Sequence, residues 1–315
     1  MRYINELHEG DKMSGIYLCK QRTSAVTKNG KPYDSVILQD KTGTIDGKIW
    51  DPNSFGIADF DALDYVDVTG DVTSFAGALQ VSIKRARKAQ EDEFDPADYL
   101  PVSEKGAADM RAQLTAFIQS VQNPYLGAML KKFFVEDAAF LKSFGDHSAA
   151  KTVHHSFMGG LMEHTLSVAR MCDYLAASYP IIKRDLLITA ALLHDIGKTK
   201  ELSSFPLNDY TDEGQLLGHI YMGAEMIHDM AREIPDFPAD LERQLVRCIL
   251  AHHGELEYGS PKKPAMVEAV ALNMADNTDA KMQTLTELFN GDKTKKEWLG
   301  FNRLFDSNMR RTGDL

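Results

Sequence analysis

The chain has 315 residues, 43% of them apolar, enough to fill the cores of two ordinary domains. Its formal charge of −11 excludes wholesale electrostatic wrapping of nucleic acid. The three cysteines, Cys19, Cys172 and Cys248, lie far apart and outside any CxxC pair, which excludes a disulfide framework and a thiolate zinc site and leaves histidine and carboxylate as the available metal ligands.

In chain order, the opening residues carry no apolar core and no small-residue cleavage site, so they do not read as a secretory signal. The most apolar run, 186–193, is too short to cross a bilayer. A cytoplasmic protein without a membrane partner is therefore expected. Residues 1–90 read as a small all-β barrel. β-branched and aromatic stretches at 12–19, 34–39, 43–50, 65–72 and 79–83 are separated by turn-forming residues. This segment holds 12 Lys/Arg and 12 Asp/Glu, whereas the remaining residues hold 23 and 34 and so carry the whole net charge. It ends in a basic run, Lys84, Arg85, Arg87 and Lys88. Residues 91–150 begin acidic and read as a linker and helical lead-in, with apolar residues at helical spacing over 113–121 and 125–134. Residues 151–290 are expected to form an all-α bundle, in which 184–194, apolar nearly all round, is a core helix. Residues 291–315 read as a basic, frayed tail.

The chemistry lies in the bundle, where histidine concentrates between 147 and 253. The helix 184–194 ends at His194-Asp195, with Gly197 as its stop. A carboxylate at the end of so apolar a helix is costly to bury without a cation, and a metal ion meets that cost. His164, His219, His252 with its neighbour His253, and Asp276 each interrupt or end another apolar helical run. A mixed imidazole and carboxylate set suits Mn, Fe, Zn, Ni or Co rather than Mg or Ca.

The order His164, His194-Asp195, Asp276, with the run HDIGK at 194–198, resembles the motif of the HD superfamily of metal-dependent phosphohydrolases. The resemblance implies that His164, His194, Asp195 and Asp276 hold one ion. Asp195 then bridges to a second ion, held also by His219 and His252, with His253 as an alternative ligand or supporting residue and Asp279 as another. It gives Asp195 and Lys198 the catalytic roles, the lysine facing the scissile phosphate. His154 and His155 either contact substrate or cap a loop. His228, on the opposite helix face from His219, reads as a surface residue.

The first segment is similar to an OB-fold, a barrel that often binds single-stranded nucleic acid, and Tyr33, Phe75 and Arg85 are its candidate contacts. Tyr17, Trp50 and Phe55 are further aromatics, for which filling the barrel is the simpler reading. An OB-like domain followed by HHSFMGGLMEHTLSVA, HDIGKTKEL, GHI, AHHGELEYGSP and MADNTDAKM resembles the YhaM family of bacterial 3′→5′ exoribonucleases over essentially the whole chain. That implies a hydrolase with two Mn²⁺ ions per chain, acting on single-stranded RNA, with single-stranded DNA as a second candidate substrate and a homo-oligomer compatible. The competing readings are an HD phosphodiesterase acting on nucleotides or cyclic dinucleotides and a non-catalytic nucleic-acid-binding protein.

Overall fold

A computed structural model describes residues 2–151, 155–291 and 296–313 and divides into two compact units, Met1–Val102 and Ser103–Leu315. The first is built from β1 (Lys12–Val26), β2 (Pro32–Asp40), β3 (Gly43–Ile49), β4 (Tyr65–Phe75) and β5 (Ala78–Lys88). These close into a barrel in the order β1-β2-β3-β5-β4, the five-stranded Greek-key arrangement of an OB-fold. β1 is long enough to pair with β4 through its first half and with β2 through its second, and a bulge between Cys19 and Gln21 turns it from one partner to the other. Alternate residues point inward, so Met13, Tyr17, Val36, Leu38, Ile45, Val68 and Val81 fill the barrel. At Gly47 a Cβ would lie 2.8 Å from both Val36 and Ile83 side chains, so only glycine lets β3 pass them.

This unit extends past the expected boundary at 90. Phe94 stacks on Tyr65 with centroids 3.8 Å apart, and Tyr99 meets the same ring edge-on at 5.0 Å. Aromatic contact thus fastens the acidic stretch to the barrel, where its charge had suggested a free linker.

The second unit begins at once with helices. α1 (Ala107–Ser120), α2 (Pro124–Lys131) and α3 (Ala138–Asp146) occupy most of the expected linker and pack into the same core as α4 (Gly160–Ser178) and α5 (Arg184–Leu193). Asn123 starts α2 by accepting the N–H groups of Tyr125 and Leu126, and Pro124 follows at the position where a missing N–H costs nothing. After them come α6 (Lys198–Glu201), α7 (Asp212–Glu233), α8 (Ala239–Leu250) and α9 (Val267–Gly291). α5 is the centre: every residue from Leu186 to Leu193 is buried. Each large aliphatic side chain there contributes about 1.5–3 kcal/mol by leaving water.

The unit is not wholly helical. β6 (Trp298–Asn302) and β7 (Ser307–Arg310) form an antiparallel hairpin where a frayed tail was expected. The Asn302 side chain accepts the Leu304 N–H to fix its turn, and Gly300, at φ 94°, supplies the left-handed residue beside its bulge. Among the described residues no helix is long and apolar enough to cross a membrane.

Candidate metal centre

Five helical segments bring the sequence-predicted residues to one place. α5 stays helical through His194, whose Nδ1 donates back to the Ala191 carbonyl at 2.8 Å. That bond leaves Nε2 as a lone pair facing inward. Asp195 follows, 2% exposed. Gly197 then abuts the His219 backbone so closely that a Cβ would collide with the His219 carbonyl. This glycine therefore sets the His194-Asp195 turn against α7. α7 itself is broken at Gly218 (φ 73°, ψ 154°), so His219 begins a fresh helical segment with an unclaimed N–H. Glu201, closing α6, accepts that N–H at 3.0 Å and His219 Nδ1 at 2.9 Å. His252 follows α8 and donates Nδ1 to the Ile249 carbonyl at 2.7 Å. His164 lies in α4 and pairs Nδ1 with Asp279 at 2.7 Å. Asp276 and Asp279 share a face of α9, three residues apart.

Every one of these imidazoles is thus held through Nδ1, and the four Nε2 atoms converge on one carboxylate. Asp195 Oδ2 lies 3.5 Å from His164 and 3.3 Å from His194, whereas Oδ1 lies 3.5 Å from His219 and 3.6 Å from His252. Asp276 Oδ1 is 3.2 Å from His164 Nε2. Asp195 Oδ1, His219 Nε2 and His252 Nε2 are buried and find no hydrogen-bond partner among the described residues. Lone pairs turned toward each other in a dry interior repel unless a cation lies among them, so the donor set fits divalent metal.

The electrostatics agree. Burial, opposed by Glu201 for one and by Asp195 for the other, leaves the His219 and His252 imidazoles below their usual range, in the neutral form that ligates metal. Burial also opposes ionisation of Asp195, but Lys198 and His194 overcome it and hold the carboxyl well below its usual range. Against its own burial, His164 is pushed up to about 9 by Asp276 and Asp279, so these carboxylates draw a positive charge to the place where an ion would have to displace a proton. Lys198 Nζ lies 2.7 Å from Asp195 Oδ2, which holds the lysine charged despite burial.

The remaining expected residues divide. His253 is half-buried, packs on His252 at 4.3 Å between centroids and donates Nδ1 to the Tyr258 carbonyl. With His219 and His252 it forms a group whose ligand atoms lie within 4.8 Å of one another. Asp279 accepts from both His155 and His164. His155, expected at the substrate or on a loop, is instead 1% exposed: its Nε2 lies 2.9 Å from Asp279 and its backbone N–H donates to Glu287. Two carboxylates, Asp279 and Glu287, hold it in place. His154 lies outside the described residues. His228 is exposed and paired with Glu242. On the barrel, Tyr17 is buried in the core, Tyr33 is half-buried against Trp50 at 5.4 Å, and Phe75 is exposed. Trp50 is exposed too, and Arg85 lines a recess of about 580 Å³ with the fully exposed Phe55, so two aromatics expected in the core lie outside it. Glu201 had not been singled out. It belongs to a four-residue helix and acts through His219, so neither spacing nor apolar setting marks it.

The family model described as "HD domain" matches residues 161–281, the segment containing all six expected ligands. The 3′-5′ exoribonuclease YhaM of Bacillus velezensis is 34% identical over 307 residues, covering 95% of this chain and 96% of that protein. Among solved structures, the HD domain of the L. monocytogenes phosphodiesterase PgpH is 17% identical, with a TM-score of 0.28 over 52% of this chain and 75% of that one. The second OB-fold domain of replication protein A from Methanococcus maripaludis is 21% identical, with a TM-score of 0.22 over 29% and 95%. At the identity and coverage of the first relative, this chain belongs to the family of the 3′-5′ exoribonuclease YhaM.

Proposed function

We propose that the chain is a metal-dependent 3′→5′ exoribonuclease that hydrolyses phosphodiester bonds of single-stranded RNA in the cytoplasm, with single-stranded DNA as a secondary substrate. One observation carries the chemistry: both oxygens of the buried Asp195 face a pair of imidazole Nε2 atoms, so a single carboxylate can serve two ions. His164, His194, Asp195 and Asp276 would hold one divalent ion, and Asp195, His219 and His252 a second, with Mn²⁺ suited to the mixed nitrogen and oxygen donors. Such ions supply Lewis acidity toward phosphoryl oxygens and make water a competent nucleophile near neutral pH.

The chain's own residues do the rest. Asp279 and Glu201 and the carbonyls of Ala191 and Ile249 hold the four rings with Nε2 inward. Lys198 offsets the charge of Asp195 and also lines the adjoining cavity, where its ammonium faces an arriving phosphate. The barrel would hold the strand upstream, with Trp50, Tyr33, Phe75 and Arg85 as stacking and phosphate contacts.

The test uses purified protein, Mn²⁺ and three substrates: 5′-labelled single-stranded RNA, a cyclic dinucleotide and a nucleoside triphosphate. A ladder shortening from the 3′ end is expected. Hydrolysis of the small molecules alone, or RNA retention without cleavage, refutes the proposal.

A further inference from the structure

The cavity beside the metal centre has a second owner. It measures about 500 Å³, and its lining runs from Lys198 and Asp276 through Lys281 and Thr284 of α9 to Asn302 and Leu304 of the C-terminal hairpin. Asp276, Ala280 and Thr284 succeed one another at intervals of four, so they share one stripe of the helix. That stripe starts at an expected ligand and continues about 12 Å along the axis to Thr284. The hairpin therefore helps to wall the space beside the expected ligands.

We propose that this recess is the subsite for the 3′-terminal nucleotide of the substrate strand, with Leu304 as the apolar contact for its base and Asn302 and Lys281 as polar contacts for its sugar and phosphate. The inference rests on the exoribonuclease reading and adds the place where that activity recognises the strand's end. Size is the first argument. A recess of about 500 Å³ takes one small-molecule-sized group and not a run of them. An enzyme that removes terminal residues one at a time needs room for one residue beyond the scissile phosphate.

Chemistry is the second argument. Leu304 is 56% exposed, an apolar side chain held in water at the rim. Its backbone N–H is fixed by Asn302 Oδ1 at 2.9 Å, which commits that amide oxygen and leaves the Asn302 amino group to donate. Lys281 is exposed and cationic. Thr284 donates its hydroxyl to the Ala280 carbonyl at 2.8 Å, so its oxygen remains an acceptor. An apolar rim, an amide donor, a hydroxyl acceptor and a cation, beside a phosphate-directed metal site, match one nucleotide.

The experiment compares two single-stranded RNAs, one with an ordinary 3′-terminal residue and one whose terminal residue lacks its base. Wild-type protein should favour the ordinary end about tenfold in kcat/KM, the scale on which one apolar contact discriminates. Leu304→Ala should shrink that preference to about twofold. Trp298→Ala, on the same hairpin but lining a different recess, should keep it, so general damage to the hairpin is separated from loss of the subsite. Asn302→Asp retains an acceptor for the Leu304 N–H while adding a negative charge, and should raise KM for both RNAs. An unchanged preference in Leu304→Ala, with wild type shortening both RNAs, overturns the subsite alone. Wild type that shortens neither RNA overturns the exoribonuclease reading, and the subsite with it.

Discussion

The two units bury carboxylates in opposite ways. In the barrel, Asp34 accepts from Ser24 on one oxygen and from the Arg22 guanidinium on the other. Asp40 takes the Ile4 N–H on one oxygen and Thr42 and Gly43 on the other. Each is satisfied by the chain: Asp34 ties β2 to β1, and Asp40 holds the turn after β2 and the N-terminal segment. In the helical unit, Asp195 is equally buried, yet its Oδ1 and the Nε2 atoms of His219 and His252 facing it find no hydrogen bond among the described residues. An unsatisfied buried polar atom costs about 1–3 kcal/mol. Three in one cluster weaken the fold where they stand, which marks a site completed by something the chain does not itself supply.

The sharpest way to break this contrast is Asp195→Ala. Hydrolysis should fall by about a thousandfold or more with the fold intact by circular dichroism, while the thermal midpoint drops because the buried Lys198 ammonium loses the carboxylate 2.7 Å away. Retained turnover would refute its assigned role. Metal removal comes next. A chelator should abolish activity and Mn²⁺ should restore it. Saturating the site at about a hundred times Kd should also stabilise wild type by ~2.7 kcal/mol, and Asp195→Ala by much less. A melting curve with and without Mn²⁺ reads this independently of turnover.

Glu201→Gln and Asp279→Asn sharpen the comparison from the side of the supports. Each keeps the shape of a residue that orients an imidazole but weakens its hold on the Nδ1 proton. Metal affinity should fall by about 10–100-fold in each, measured by Mn²⁺ titration of activity. No loss in either would mean that the carboxylates are bystanders. Asp34→Ala is the counterpart in the barrel. It strands Arg22 and should cost about 2–3 kcal/mol of stability on denaturant unfolding, with turnover of a short substrate unchanged.

The contrast also separates what was legible in the sequence from what was not. His194-Asp195 stood out because a fully apolar helix ended on them, and His164, His219, His252 and Asp276 because each interrupts or ends another apolar helical run. The barrel strands were legible because each alternates at period two between turns. Glu201 was not, since a carboxylate that acts through another side chain obeys no spacing. The inward turn of His155 depends on Asp279 and Glu287, more than a hundred residues downstream. The hairpin was hidden because two strands of five and four residues give too short a pattern to show a period. The boundary was misplaced because Phe94 and Tyr99 are single aromatics in an acidic stretch, and only the fold reveals the ring they cover.

The smallest expected effect lies on the barrel surface. Trp50 is 52% exposed and rests against Tyr33, so its ring is presented on a support without being buried. A base stacked on such a ring contributes about 1–3 kcal/mol where it is the only platform. Phase sharing with Phe75 and Phe55, both exposed on the same barrel, lowers the share of any one. Trp50→Ala should therefore weaken retention of a long single-stranded RNA about threefold and leave cleavage of a dinucleotide untouched. Residues 1–90 carry as many acidic as basic residues, 12 of each, and the acidic stretch after them packs on the same unit, so few phosphates are neutralised on binding and the salt dependence should be shallow. A steep salt slope, or equal losses on long and short substrates, would show that the barrel does not hold the strand by stacking, and its buried, satisfied carboxylates would then support some other surface.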